Sequence, residues 1–200
     1  MNDKQLIISI SREYGAGGHD IAVMLAERFH LPLLDADSIA RHFADNHNFD
    51  YDEVKKFSGK PFNRLLHRQI KGHTSTIQDN LSQMQFAYLR EKADRGESFV
   101  IVGRCSETVL EDYEGMVAFF VLADEEDKVR RVMEKEGLNK TDASYAARRG
   151  TWSHKTYHNY YCKGKWGDSR LYDMCINTSR LGLEKSADVI EAYIRRAMEK

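Results

Sequence analysis

The sequence predicts an α/β protein, a five-stranded parallel sheet flanked by helices. Short apolar runs alternate with longer segments of helical periodicity, which implies crossover connections and helices on both faces of one sheet. Four of the five runs are continuously apolar instead of alternating, as strands buried on both faces are. The first run ends in a glycine-rich turn that opens into an amphipathic segment, and strand, turn, helix is an arrangement that aims backbone N–H groups at an anion.

The 200 residues suit a single domain, 1–200, with a sizeable core. Charged residues make up 30% of the chain and nearly cancel, at net −1, which argues against a nonspecific nucleic-acid binder. No apolar run approaches a membrane span, and the N-terminus lacks the apolar core of a signal peptide. Cys105, Cys162 and Cys175 are odd in number and irregularly spaced, as in a reduced, cytoplasmic protein.

The opening strand runs from Leu6 to Ile10, and the helix after its glycine turn places Ile21, Met24, Leu25 and Phe29 on one face. Residues 31–34 read as a short second strand, followed directly by Asp35 and Asp37. Residues 38–73 are polar and mixed, with short helices expected around Gly59, Lys60 and Pro61. Ile77, Leu81, Met84, Tyr88 and Leu89 recur at helical spacing over residues 76–95. Residues 99–102 form the third strand, which stops at Gly103 and Arg104. Residues 116–122 form the fourth, and Ala123 and Asp124 open a charged helix through Glu136. After a break at 137–139, residues 140–161 are helical in composition. A loop at 163–168 precedes the last strand, 172–177. Ala187, Ile190, Tyr193, Ile194 and Ala197 mark a closing amphipathic helix.

Ligands of such sheets bind at the carboxyl ends of the strands. Four features fall there: residues 11–18, Asp35 with Asp37, Gly103 with Arg104, and Asp124. The loop keeps the glycines of a phosphate loop but lacks its usual lysine and hydroxyl. Downstream, His154, His158 and Cys162 are spaced four apart on one helix face. Such residues can ligate zinc, but three on one straight helix span about 12 Å, too far for one ion. Tyr157, Tyr160, Tyr161, Trp152 and Trp166 either pack this segment onto the domain or form a contact between two copies, with core packing the default for them and for Cys105 and Cys175.

Taken together, Ser11-Arg12-Glu13-Tyr14-Gly15-Ala16-Gly17-Gly18, Val102-Gly103-Arg104-Cys105, Trp166-Gly167-Asp168 and Tyr172-Asp173-Met174-Cys175-Ile176-Asn177-Thr178-Ser179 resemble, in order, the hallmarks of the cytidylate kinase-like family. This is a branch of the P-loop nucleoside monophosphate kinases. The resemblance implies ATP- and Mg2+-dependent phosphoryl transfer to a nucleoside monophosphate, by default CMP or dCMP. It implies an acceptor-binding insert at about 36–75 and a lid at about 138–171. Ser11, Gly15, Ala16, Gly17, Gly18, His19 and Asp20 would then hold the ATP phosphates. Compared with ordinary relatives, Gly18 stands where the phosphate-binding lysine is expected and Asp20 near the metal-binding hydroxyl.

Arg12 is the candidate replacement charge, against the alternative of a solvated loop residue. Arg104 is expected to grip the acceptor's phosphate, since a guanidinium pairs bidentately with phosphate oxygens, or else to bridge to a neighbouring helix. Asp35 and Asp37 are candidates for contacting the acceptor or a magnesium ion, and equally for capping the helix from Ser38. Arg131, after Arg130, precedes the lid, and Arg148 with Arg149 sit inside it as candidate catalytic cations. Arg64, His67, Arg68 and Lys71 form a basic patch within the insert, better explained as a solvated helix face. The family pattern has an Asp, two residues and an Arg upstream of a Tyr-Tyr pair. Here Thr151 and His154 take those positions, and neutral histidine is a poor substitute for a fixed cation. That departure keeps two alternatives open: a nucleotide-binding member acting as a sensor or interaction module, and a kinase for another small acceptor.

Overall fold

The computed structural model describes residues 4–47, 50–57 and 77–199. Five strands, β1 (Ile7–Arg12), β2 (Leu33–Leu34), β3 (Phe99–Val102), β4 (Met116–Leu122) and β5 (Met174–Asn177), form one sheet in the order β2-β3-β1-β4-β5. Every pairing is parallel, so all five carboxyl ends lie along one edge. The central register sets Ile8 beside Val100 and Val117.

The side-chain alternation of β1 divides the core. Ile8 and Ile10 join Val100, Val102, Phe119, Val121 and Ile176 under α1 (Gly18–Phe29) and α8 (Thr178–Met198). Ile7, with Phe99 and Ile101, faces the other way, under α2 (Ala36–His47), α3 (Tyr51–Phe57), α4 (Ile77–Asp94) and α5 (Ser106–Val109). Both faces are dry, which is why these strands carry no polar alternation apart from Ser9 and Ser11. Ser9 is satisfied by the Ser106 hydroxyl at 2.7 Å. Two further helices, α6 (Glu125–Glu136) and α7 (Lys140–Tyr161), pack together through Val129, Val132, Ala143 and Ala147.

The expected bounds of β4, α6 and α7 agree with the structure. β2 is shorter because the Leu31 amide still closes α1, bonding the Ala26 carbonyl at 2.9 Å. β5 starts late because Ser169–Leu171 form a 3-10 turn that runs up to Tyr172. The short α5 was not legible. Cys105 is buried as expected, but Cys175 is exposed, on the strand at the edge of the sheet, where no further strand among the described residues flanks it. The basic patch at Arg64, His67, Arg68 and Lys71 lies outside the described residues.

Candidate active site

The chain leaves β1 through Arg12 and turns at Gly15 and Gly17, whose φ angles of 79° and 83° fall in the left-handed region that favours glycine. Gly17 caps α1 with no side chain, and the first helical hydrogen bond is Ile21 N–H to the Gly17 carbonyl at 3.0 Å. The amides of Gly18 and His19 therefore emerge at a helix N-terminus with the dipole behind them.

The loop is braced from the side by α6. Lys128 pairs with Glu13 at 2.9 Å. Arg131 donates to the carbonyl oxygens of Gly15 and Ala16 at 3.4 and 3.1 Å and to the Thr178 hydroxyl at 2.9 Å. Thr178 in turn donates to Ala16 O at 2.9 Å. Tyr14 ties the loop to α7: its amide donates to Thr151 Oγ1 at 3.0 Å and its ring fills the space a side chain at Gly150 would need. Its hydroxyl donates to Glu136 at 2.5 Å, and burial together with that carboxylate raises its pKa to about 12.

Two clefts open on either side of Arg12 and His154, which line both. The first cleft, about 230 Å³, is bounded by Gly15, Gly17, Gly18, His19, Asp20 and Arg131. The second, about 170 Å³, is bounded by Ser11, Gly103, Arg104, Tyr157, His158 and Trp166. Arg12 does not project into solvent. A Cβ placed on Gly18 would lie 2.5 Å from the Arg12 Cβ, and one on Gly103 would lie 2.6 Å from its Nη1. The side chain thus crosses the space that a residue 18 side chain would occupy and ends above Gly103. Burial, and then the nearby Arg104, lower its pKa to about 10, so it remains cationic at neutral pH.

Arg104 follows Gly103 with a left-handed backbone, φ 61°, and Cys105 repeats it at φ 55°. Burial lowers the Arg104 pKa, no carboxylate forms an ion pair with it among the described residues, and its Nε has no hydrogen-bond partner. A buried guanidinium in that condition is suited to an incoming anion. His154 Nδ1 donates to the Arg12 carbonyl at 3.2 Å. Burial, then the Arg12 charge and more weakly Arg104, hold its pKa down at about 3, so it is neutral.

The remaining expected residues divide. Asp35 caps α2 through Oδ1, which accepts from the amides of Asp37 and Ser38 at 3.0 and 2.9 Å. Its Oδ2 meets His19 Nε2 at 2.9 Å, and that contact, with Ser38, holds the carboxyl well below the usual range. Asp37 is turned away, bonded to Tyr51, Arg41 and Lys55. Asp124 is engaged by Asn177 Nδ2 at 2.9 Å. The structure does not bring Arg148 or Arg149 to the clefts. They lie with Tyr145 and Trp152 around a separate outer hollow, because the small residues Ala143, Ala147 and Gly150 turn the opposite face of α7 inward. The lid aromatics split the same way: Tyr157 is buried and donates to Ser82 at 3.2 Å, Trp166 packs edge-on to Phe120, and Trp152 is 61% exposed.

Three participants were missed in the sequence: Lys128, Tyr14 and Glu107. Glu107 is fully buried, takes a hydrogen bond from the Ser11 hydroxyl at 3.1 Å, and stands 2.6 Å from His158 Nε2. Despite burial, Cys162 and Glu107 raise the His158 pKa to about 10.

A parallel 2-3-1-4-5 sheet with a glycine loop after β1 is the fold of the P-loop kinases. The chain belongs to the cytidylate kinase-like family, which it matches over residues 7–180. Among solved structures it resembles one described as an uncharacterized protein from Eubacterium ventriosum, at 34% identity and TM-score 0.77, covering 96% of this chain and 99% of that one. A gluconokinase from Sinorhizobium meliloti (13% identity, TM-score 0.58, 100% and 96% covered) shares the fold. So does a shikimate kinase from Acinetobacter baumannii (13%, 0.56, 99% and 97%). No curated protein matches the sequence. Membership of this family supports phosphoryl transfer as the general activity. No helix among the described residues is long and apolar enough to cross a membrane.

Proposed function

We propose that the chain transfers the γ-phosphoryl group of ATP to a nucleoside monophosphate, with CMP or dCMP as the acceptor. One observation carries the reading: Arg12 fills the space left by the missing side chain at Gly18 and lines both clefts. A cation placed there neutralises charge on the transferring group, which is most of what this reaction asks of a protein. The amides of Gly18 and His19, with the rest of the 15–19 loop, receive the donor phosphates. Arg104 receives the acceptor's phosphate as a bidentate partner. Asp35 acts through His19, whose ring it orients at the edge of the donor cleft.

Magnesium suits the donor cleft, because Asp20 presents a carboxylate at its rim and that ion binds through one or two carboxylates, phosphate oxygens and retained waters. When bound, it adds charge neutralisation at the phosphate oxygens.

A coupled ADP-release assay across nucleoside monophosphates and other small hydroxyl acceptors tests the proposal. The expected result is turnover that depends on CMP or dCMP. Nucleotide binding without turnover for any acceptor would establish a binding module instead. Turnover confined to acceptors that are not nucleotides would overturn the choice of substrate.

A further inference from the structure

At and behind the wall of the second cleft, which His158 lines, lies a group of side chains that the transfer reaction does not use. Glu107 enters from α5, His158 from α7, and Cys162 from the residue that ends α7. All three are buried, and one donor atom from each lies within 4.8 Å of the other two. His158 Nε2 and Glu107 Oε1 approach to 2.6 Å, with side-chain exposures of 4% and 0%, yet neither is aligned for a hydrogen bond. In the ion-free chain the two form a close buried ion pair, and the Cys162 thiol converges on the same point. The outer atoms are already held: Ser11 fixes the other Glu107 oxygen at 3.1 Å, and His158 Nδ1 faces Asn159 Oδ1 at 3.4 Å. Ligands steadied from behind in this way are a regular feature of metal sites.

Charge favours the same reading. Once the ion takes the place of the proton that Glu107 and Cys162 favour on His158, a carboxylate, a thiolate and a neutral imidazole sum to −2, which one divalent cation cancels in a place where unbalanced charge is costly. A sulfur, a nitrogen and a single oxygen form a set for zinc, not for magnesium or calcium, which want oxygen throughout. Bond lengths of about 2.0–2.3 Å in a tetrahedron put neighbouring ligand atoms about 3.3–3.8 Å apart. Accommodating an ion therefore requires the carboxylate and the ring to part by roughly 0.7 Å, a side-chain adjustment. The reach that disqualifies three ligands on one straight helix does not apply, because His154 turns to the Arg12 carbonyl and the third ligand comes from α5.

We propose that Glu107, His158 and Cys162 form a zinc site that pins the end of α7 to the β3–α5 segment behind Arg104. The site does not depend on the kinase reading. Cys105, whose thiol contacts that of Cys162, offers the rival chemistry of a disulfide.

The chain is purified under reducing conditions, stripped with a chelator and titrated with zinc against a chromophoric competitor. About one equivalent should bind, and zinc should raise the melting temperature, since it binds only the folded chain. Cobalt in its place should give a near-ultraviolet thiolate-to-metal band. Cys162→Ser, a nearly isosteric change, should lose the band and the zinc-dependent rise in melting temperature, while Cys105→Ser, which cannot form the disulfide, should keep both. No zinc uptake by the parent chain, equal uptake by the Cys162→Ser variant, or a Cys105–Cys162 disulfide forming in place of uptake overturns the proposal.

Discussion

The two clefts that share Arg12 are built by opposite means. On the proposed reading the donor side is main chain: helix-end amides and glycine turns, held from outside by Lys128, Arg131 and Thr178. The acceptor side is side chain: Arg104, Tyr157, His158 and Trp166, drawn from three separate segments. A backbone cradle is fixed when the chain folds and tolerates change in what surrounds it. A side-chain wall is specific and can be altered one residue at a time. Substrate choice should therefore lie on the acceptor side, and the capacity for transfer at the boundary.

The sharpest way to break this division is at the boundary itself. Arg12→Ala should lower kcat by about 10²–10³-fold, the cost of removing one charge-stabilising group from such a site. Gly18→Lys alone should not improve turnover, since its Cβ would collide with the Arg12 side chain. Combined with Arg12→Ala it should recover part of the loss, and steady-state kinetics of the three variants measure both effects. If Arg12→Ala turns over like the parent chain, the boundary has no special standing.

On the acceptor side, Arg104→Ala should lower kcat/KM for the acceptor by about 10–100-fold, the worth of a charged hydrogen bond of about 1.5–3 kcal/mol. The KM for ATP should change little, and equal changes in both would erase the distinction between the clefts.

The smallest effect concerns His154 and stability. In the folded chain it stays neutral down to about pH 3, whereas the unfolded chain protonates it below about pH 6.5. Between those values the unfolded state binds more protons, so this residue makes stability fall as pH drops through the window. His154→Gln should flatten the dependence of melting temperature on pH between about 4 and 6 and leave it unchanged near pH 7. An unaltered acid limb would mean that the ring is not shielded between the clefts.

The contrast also explains what could be read from sequence. The donor side was legible because a glycine turn between an apolar run and an amphipathic helix is contiguous, and its geometry follows from φ angles that glycine favours. The sheet was legible because doubly buried strands need unbroken apolar runs. The partnership of Arg12 with Gly18 was only half visible: the missing lysine and the spare arginine appear in the motif, but the crossing of one side chain over the other position is a fact of three dimensions. Arg148 and Arg149 were drawn toward the site by their adjacency to the lid. The inward face of α7 is marked by small residues, Ala143, Ala147 and Gly150, which an apolar periodicity does not weigh. His158 and Cys162 were noticed at their helical spacing, but Glu107 lies in a different segment and carried no signal of its own.

Arg104 and Cys105 hold left-handed backbone angles that glycine would adopt freely. Each costs about 1–2 kcal/mol, against a net stability of about 5–15 kcal/mol for a folded domain. The turn that carries Arg104 to the cleft is therefore a strained one, held in place by the packing of Cys105 against Phe86, Tyr157 and Cys162.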